Sequence, residues 1–171
     1  MLPDVSLYET GTTVYEPFLG LCTIVSSTQE TMLGVEQMFY QLRPPQGTSV
    51  VKIPASQMTS RGIRPLMSEA ELEGVLVFEL PNPEEKEETY GQRLRRWTEQ
   101  LRSGDRFGAT KVLREIRVLV SRGVRLSPKE NELQETLNRT VRQEIAAVLG
   151  ISPGKASVRL SQAVEMEKGK K

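Results

Sequence analysis

The segment ETYGQRLRRWTEQLRSGD, residues 88–105, concentrates the side chains best suited to recognition chemistry. It holds Tyr90, Arg93, Arg95, Arg96 and Trp97, the chain's single tryptophan. Guanidinium groups neutralise phosphates, and a planar ring among them can wedge between base steps. The same pattern describes an ordinary amphipathic helix whose ring anchors a core. Tyr90, Leu94, Trp97 and Leu101 recur at i, i+4, i+7 and i+11, one apolar stripe, with Arg93, Arg95 and Arg96 off it. The stripe assigns Trp97 to the core. It leaves Tyr90, at the first turn, as the ring able to emerge at the surface.

Other chemistry is poorly supplied. The chain has no histidine and one cysteine, Cys22. The usual zinc and haem ligand sets, Ser-His-Asp catalysis and Cys-His catalysis all lack their residues. No P-loop, GxGxxG, nucleophile elbow or EF-hand loop is present. The expectation is a binding protein, not an enzyme, with no cofactor and no metal. A lone cysteine can form no internal disulfide, which favours a reducing cytosol. The opening MLPDVSLYETG lacks the basic and apolar regions of a signal peptide, and no apolar run approaches a membrane span.

The net charge of +1 hides a segregation. Residues 89–126 carry ten basic and three acidic side chains, and residues 68–88 carry one basic and eight acidic. Composition leaves two readings open: a phosphate-binding face, or a solvated face balanced by the acidic block before it.

Two kinds of element must position these residues. Residues 8–55 contain short β-branched and aromatic runs, TTVYEP, LCTIVSST, QMFYQLR and TSVVKIP, separated by glycines and prolines. They predict four or five strands in a small bent sheet or barrel, with RPPQGTS as a hairpin turn. Such a module buries little surface by itself and needs something to pack on. From Ser68 the period becomes helical. Ser68 with Glu71 and Ser127 with Glu130 read as capping boxes, with Pro128 in the first helical position. The predicted helices start at Ser68, at about Glu87, after Asp105, at Ser127 and at Ser152. The third is expected to bury Ala109, Val112, Leu113, Ile116, Leu119 and Val120. The acidic residues at 84, 85, 87 and 88 suit the start of the second helix, where its dipole favours negative charge. The fold class is thus α+β: a small β module, then a bundle of about five helices, with the boundary near RGIRPLMS, 61–68.

The order of these segments resembles the CarD/CdnL family of bacterial RNA-polymerase-binding transcription regulators. YETGTTVYEPFLG, GVEQMFYQLR and VVKIPASQMTSRGIR are similar to that family's opening F-x-x-G-D-x-V-V-Y-P-x-x-G, its G-x-x-x-x-Y-x-x-L strand and its V-x-V-P…G-[VI]-R segment. RLRRWTEQLRSGD and RLSPKENELQETLNRTVRQEIA resemble its R-R-x-x-x-N-x-x-K-L-x-S-G-D and L-S-x-x-E…L-x-x-E runs. The likeness spans about Tyr8 to Leu149.

The resemblance implies a Tudor-like N-terminal module, residues 1–66, that docks on the RNA polymerase β subunit partly by edge-strand pairing. Val50, Val51, Lys52 and Ile53 supply that strand. It implies a helical module, residues 67–171, that meets promoter DNA at the upstream edge of the melted bubble, where a ring wedges into the minor groove. The open complex is thereby stabilised without a sequence-specific operator, by a monomer in the bacterial cytoplasm, associated with the nucleoid. Counting back from Ser103-Gly104-Asp105, the family's wedge tryptophan falls on Tyr90, and Trp97 stands where asparagine is usual. Arg93 and Arg95 fall on basic positions, and Arg96 is an additional candidate phosphate contact. Gln92 replaces the first arginine of the pair, and VYEP stands for VVYP. These departures keep a second reading in view: an adaptor whose helical module binds protein instead of DNA.

Overall fold

A computed structural model of the chain describes residues 8–165. Its first half is one antiparallel sheet of β1 (Thr13–Glu16), β2 (Gly20–Met32), β3 (Val35–Arg43), β4 (Val51–Pro54) and β5 (Arg64–Pro65), in the order β4-β3-β2-β1-β5. Val14, Cys22, Ile24, Tyr40, Leu42 and Ile53 point to one face and form its core. Burial pushes the Cys22 thiol up to about 12, so it packs as an apolar residue.

The predicted runs understate β2 and β3. Both continue past the point where β1 and β4 stop pairing, and end at a turn with positive φ at Leu33 (52°) and Gly34 (77°). Two successive positive φ values match the twist of a two-residue hairpin. The extension is polar on both faces, SSTQET, so it carries no alternating apolar signal. A register shift between Ile24 and Ser26 marks a bulge where the ribbon leaves the sheet.

The second half is α1 (Glu69–Val77), α2 (Tyr90–Arg102), α3 (Gly108–Ser121), α4 (Pro128–Leu149) and α5 (Pro153–Val164). Capping boxes start α1 at Ser68 and α4 at Ser127, as their sequences predict. A third starts α2: Thr89 caps, and the Gln92 side chain returns to the Thr89 N–H (3.0 Å). The helix therefore begins at Tyr90, three residues after the predicted Glu87. Trp97, Leu101, Val112, Ile116, Leu137, Ile145 and Ala156 form the shared core.

One core assignment is corrected. Val120 is half exposed, and Val118 is buried in its place. Thr110, Arg114 and Val118 make a second buried stripe at i, i+4 and i+8. Arg114 there donates to the Val164 and Glu165 carbonyls and to Asn82 Oδ1. An arginine in that stripe hides it from apolar periodicity.

The support that the sheet needs comes from α4. One face of α4, with Leu133, Leu137, Val141 and Ile145, enters the bundle core. Another face is polar and meets the sheet. Glu144, 1% exposed, holds Arg64 in a bidentate pair (2.7 and 2.8 Å) and accepts the Met67 N–H. Thr140 bonds to the Tyr15 hydroxyl and the Pro17 carbonyl, and Gln143 accepts from the Leu21 N–H. The two halves thus share a directional seam.

Candidate functional site

Helix α2 projects its first turn beyond the core. Tyr90 is 66% exposed although it is collinear with buried Trp97 and Leu101. The Thr89–Gln92 box fixes this end, so Gln92, which stands where the family has an arginine, holds the backbone that carries Tyr90.

The five arginine and aromatic positions then separate. Arg93 turns inward, 9% exposed, and its Nε donates to Glu130 Oε1 at 2.6 Å. Glu130 is fully buried and also accepts the Ser127 N–H (2.7 Å). Burial alone would raise the Glu130 carboxyl, but the Arg93 and Ser127 hydrogen bonds outweigh it and hold it below the usual range. Arg96 is held between Glu115 and Glu88, with three bonds of 2.9 to 3.0 Å and a further short contact to Glu115. These bonds raise the Arg96 guanidinium and lower Glu88. Trp97 is fully buried, and its indole N–H donates to the same Glu115 (3.0 Å). Of the expected phosphate-binding arginines, only Arg95 faces outward without a carboxylate partner among the described residues. Tyr90 and Arg95 do not share a face: five residues at roughly 100° each leave them about 140° apart.

The charge segregation is largely settled within the fold. The connector 84–88 lies against Arg93, Leu119, Arg122 and Val124. Its Glu88 pairs with Arg96 and its Glu85 with Arg122, while Glu71 pairs with Arg106. Lys111 pairs with Asp105, and Arg117 bonds Ser161. Arg95, Arg102 and Arg125 remain in the basic block with neither an ion pair nor a side-chain hydrogen bond among the described residues, and all three are exposed. A helix-by-helix reading finds the apolar stripe but not these pairs, because their partners lie 6 to 44 residues away in sequence and mostly on other elements.

On the sheet, β4 is an edge strand that among the described residues pairs only with β3. Val50 precedes it and is 44% exposed. Lys52 is exposed, pairs with Glu30 and lies over the Phe39 ring. Ile53 points into the sheet core and offers an outside partner only its backbone. Pro54 ends the strand. Among the described residues no group of three or more histidine, cysteine or carboxylate side chains converges as a metal site. Among the described residues no helix is long and apolar enough to cross a membrane.

No curated protein matches the chain. A family model described as CarD, C-terminal domain, matches residues 76–161, half of the chain. The match begins at the end of α1, contains α2, α3 and α4, and runs into α5; it stops short of the sheet. It therefore covers the helix that presents Tyr90 and Arg95. With that helix and its neighbours accounted for, the chain belongs to the CarD family and is a CarD-like, transcription-associated protein.

Proposed function

We propose that this protein docks on the RNA polymerase β subunit through the outer edge of β4 and stabilises the open promoter complex through α2. The observation that carries the reading is Tyr90: an exposed ring on a capped, rigid helix start, inside the region matched to the CarD C-terminal domain. A ring so placed unstacks a base step most cheaply where DNA is already distorted, as at the upstream edge of a bubble. Arg95 then contacts phosphate and supplies position without sequence information. Arg93 and Arg96 hold the helix in place through their carboxylates and serve the interface indirectly. On the sheet, the free edge of β4 supports strand addition, with Val50, Val51 and Lys52 beside it and Ile53 contributing backbone.

The test is the lifetime of polymerase–promoter complexes after competitor challenge. Aromatic–base stacking contributes about 1–3 kcal/mol by alanine substitution, so Tyr90→Ala shortens the half-life by at least about fivefold. Polymerase affinity stays unchanged, and Tyr90→Trp lengthens the half-life. An unaltered half-life in Tyr90→Ala removes the wedge. A second reading has its own observation: seven of the ten basic side chains of the block are already ion-paired or hydrogen-bonded inside the fold. In that reading the helical module is a protein adaptor. It predicts no polymerase-dependent protection of the upstream fork and no salt dependence of such protection.

A further inference from the structure

Arg61 and Arg102 meet where the sheet abuts the helices. Gly62 (φ 78°) lets the 3₁₀ turn Thr59–Arg61 pack on the end of α2. A Cβ at Gly62 would stand 2.6 Å from the Leu101 carbonyl oxygen and 3.1 Å from Arg102 Cα, so only glycine allows this approach. Both arginines open onto one cleft of about 250 Å³, lined also by Glu16, Phe18, Leu19 and Val51.

The cleft is short of negative charge. Neither guanidinium forms an ion pair among the described residues. Among the described residues Glu16 is its one carboxylate, and it is 3% exposed. Its Oε2 accepts the Phe18 and Leu19 N–H groups (2.9 and 2.5 Å), which fixes the β1–β2 turn. Burial raises the Glu16 carboxyl against those bonds and the fields of the two arginines. At most one of two positive charges is offset. The Arg102 guanidinium lies over the Phe18 ring, 5.7 Å from its centroid, which orients it without satisfying its donors.

The lining decides the occupant. Phe18, Leu19 and Val51 give apolar walls that a phosphate backbone does not use, and the volume suits one side chain. Val51 is the first residue of β4, so the cleft is continuous with the edge at which a docking strand adds. We propose that the Arg61–Arg102 cleft receives an acidic side chain, flanked by apolar residues, from the polymerase segment that docks on β4. This rests on the docking reading above and adds to it a specificity anchor on the far side from Lys52. A paired fork of guanidinium donors suits a carboxylate's geometry.

The experiment measures binding of the full chain to purified RNA polymerase holoenzyme and, separately, to forked promoter DNA without polymerase. The variants are Arg61→Ala, Arg102→Ala, Arg102→Lys and Lys52→Glu. Losing a charge-assisted contact raises the polymerase Kd about 10- to 100-fold for each alanine variant. Arg102→Lys keeps part of the affinity and fork binding stays at the wild-type value, while melting temperature falls only slightly, because neither arginine is ion-paired and each loses only its field on Glu16 and, for Arg102, the Phe18 ring. Two results overturn the cleft alone: wild-type polymerase affinity in both alanine variants while Lys52→Glu is weakened, or a loss confined to fork DNA, which makes the cleft a phosphate site. A wild-type chain with no affinity for polymerase overturns the docking reading, and this proposal with it.

Discussion

Arg93→Ala separates the two roles an arginine can have on α2. If Arg93 served chiefly to hold phosphate, its loss would weaken DNA binding and spare stability. The structure gives the opposite expectation. Glu130 is fully buried, with Oε2 on the Ser127 N–H and Oε1 on Arg93 Nε. Removing Arg93 leaves a buried carboxylate with half its partners. Breaking one side of such a pair costs about 3–5 kcal/mol, and in a domain of this size that lowers Tm by about 6–20 °C. The pair need not be a net stabiliser for this to hold, since replacing both members by apolar groups is often neutral. Arg93→Met with Glu130→Leu therefore recovers much of the loss, less the cost of the missing cap.

The pH dependence carries the sign. Glu130 is depressed in the folded state, so its contribution to wild-type stability is full above the unfolded carboxyl pKa. It is lost as pH falls through the lower folded value. In Arg93→Ala the favourable partner is gone and burial dominates, so protonation relieves the variant. The stability gap to wild type is widest near neutrality and narrows toward pH 5. Thermal melts of both proteins across pH 4.5–7.5 measure it. A variant as stable as wild type at neutral pH, or a gap that widens on acidification, refutes the assignment of Arg93 to the fold.

Two further substitutions test the junction between sheet and helices. Gly62→Ala forces a side chain into the 2.6 Å approach to Leu101 at positive φ, and costs at least about 1–3 kcal/mol in a denaturant melt; a neutral outcome means the 3₁₀ turn does not rest on α2. Glu144→Ala strips the bidentate partner from Arg64, whose side chain is 17% exposed, and is expected to separate sheet and helix unfolding into two calorimetric transitions. A single transition at the wild-type temperature would show that the seam contributes no coupling.

Local chemistry made much of this fold legible. Ser68, Ser127 and Ser152 each cap the helix their neighbours predict, because an N-cap needs only a side chain and an N–H two or three residues on. Trp97 was legible as core from its place between Leu94 and Leu101. Thr89–Gln92 is equally local, but the likeness to the family's arginine pair makes Gln92 read as a lost arginine instead of as a cap partner. Pairwise chemistry was not legible. Arg93 sits beside the apolar stripe, and nothing in α2 announces Glu130, 37 residues downstream. The same blindness placed Val120 inside and left the Thr110–Arg114–Val118 stripe unseen. The β2–β3 ribbon runs beyond the segments its sequence predicts because most of its residues are exposed and carry no apolar period.

The seam holds the two halves in a fixed relation. The sheet's own core is small, and the face of α4 that completes it is polar. An apolar contact would tolerate sliding. Thr140, Gln143 and Glu144 instead bond to specified carbonyl, hydroxyl, N–H and guanidinium groups, and burial of Tyr15 pushes its phenol up to about 12, so it stays a neutral partner for Thr140. Bonds of this kind fix an angle as well as a distance. On the proposed function that angle is the useful quantity. A polymerase segment on β4 and a base step at Tyr90 belong to one assembly, and a wedge helps only if docking delivers it to the right step. Binding energy gained at the sheet becomes stabilisation at the DNA to the extent that the connection does not bend. Gly62 against Leu101 and Arg64 against Glu144 close that connection from two sides, so on the proposed function substitutions there weaken the action of Tyr90 without approaching it.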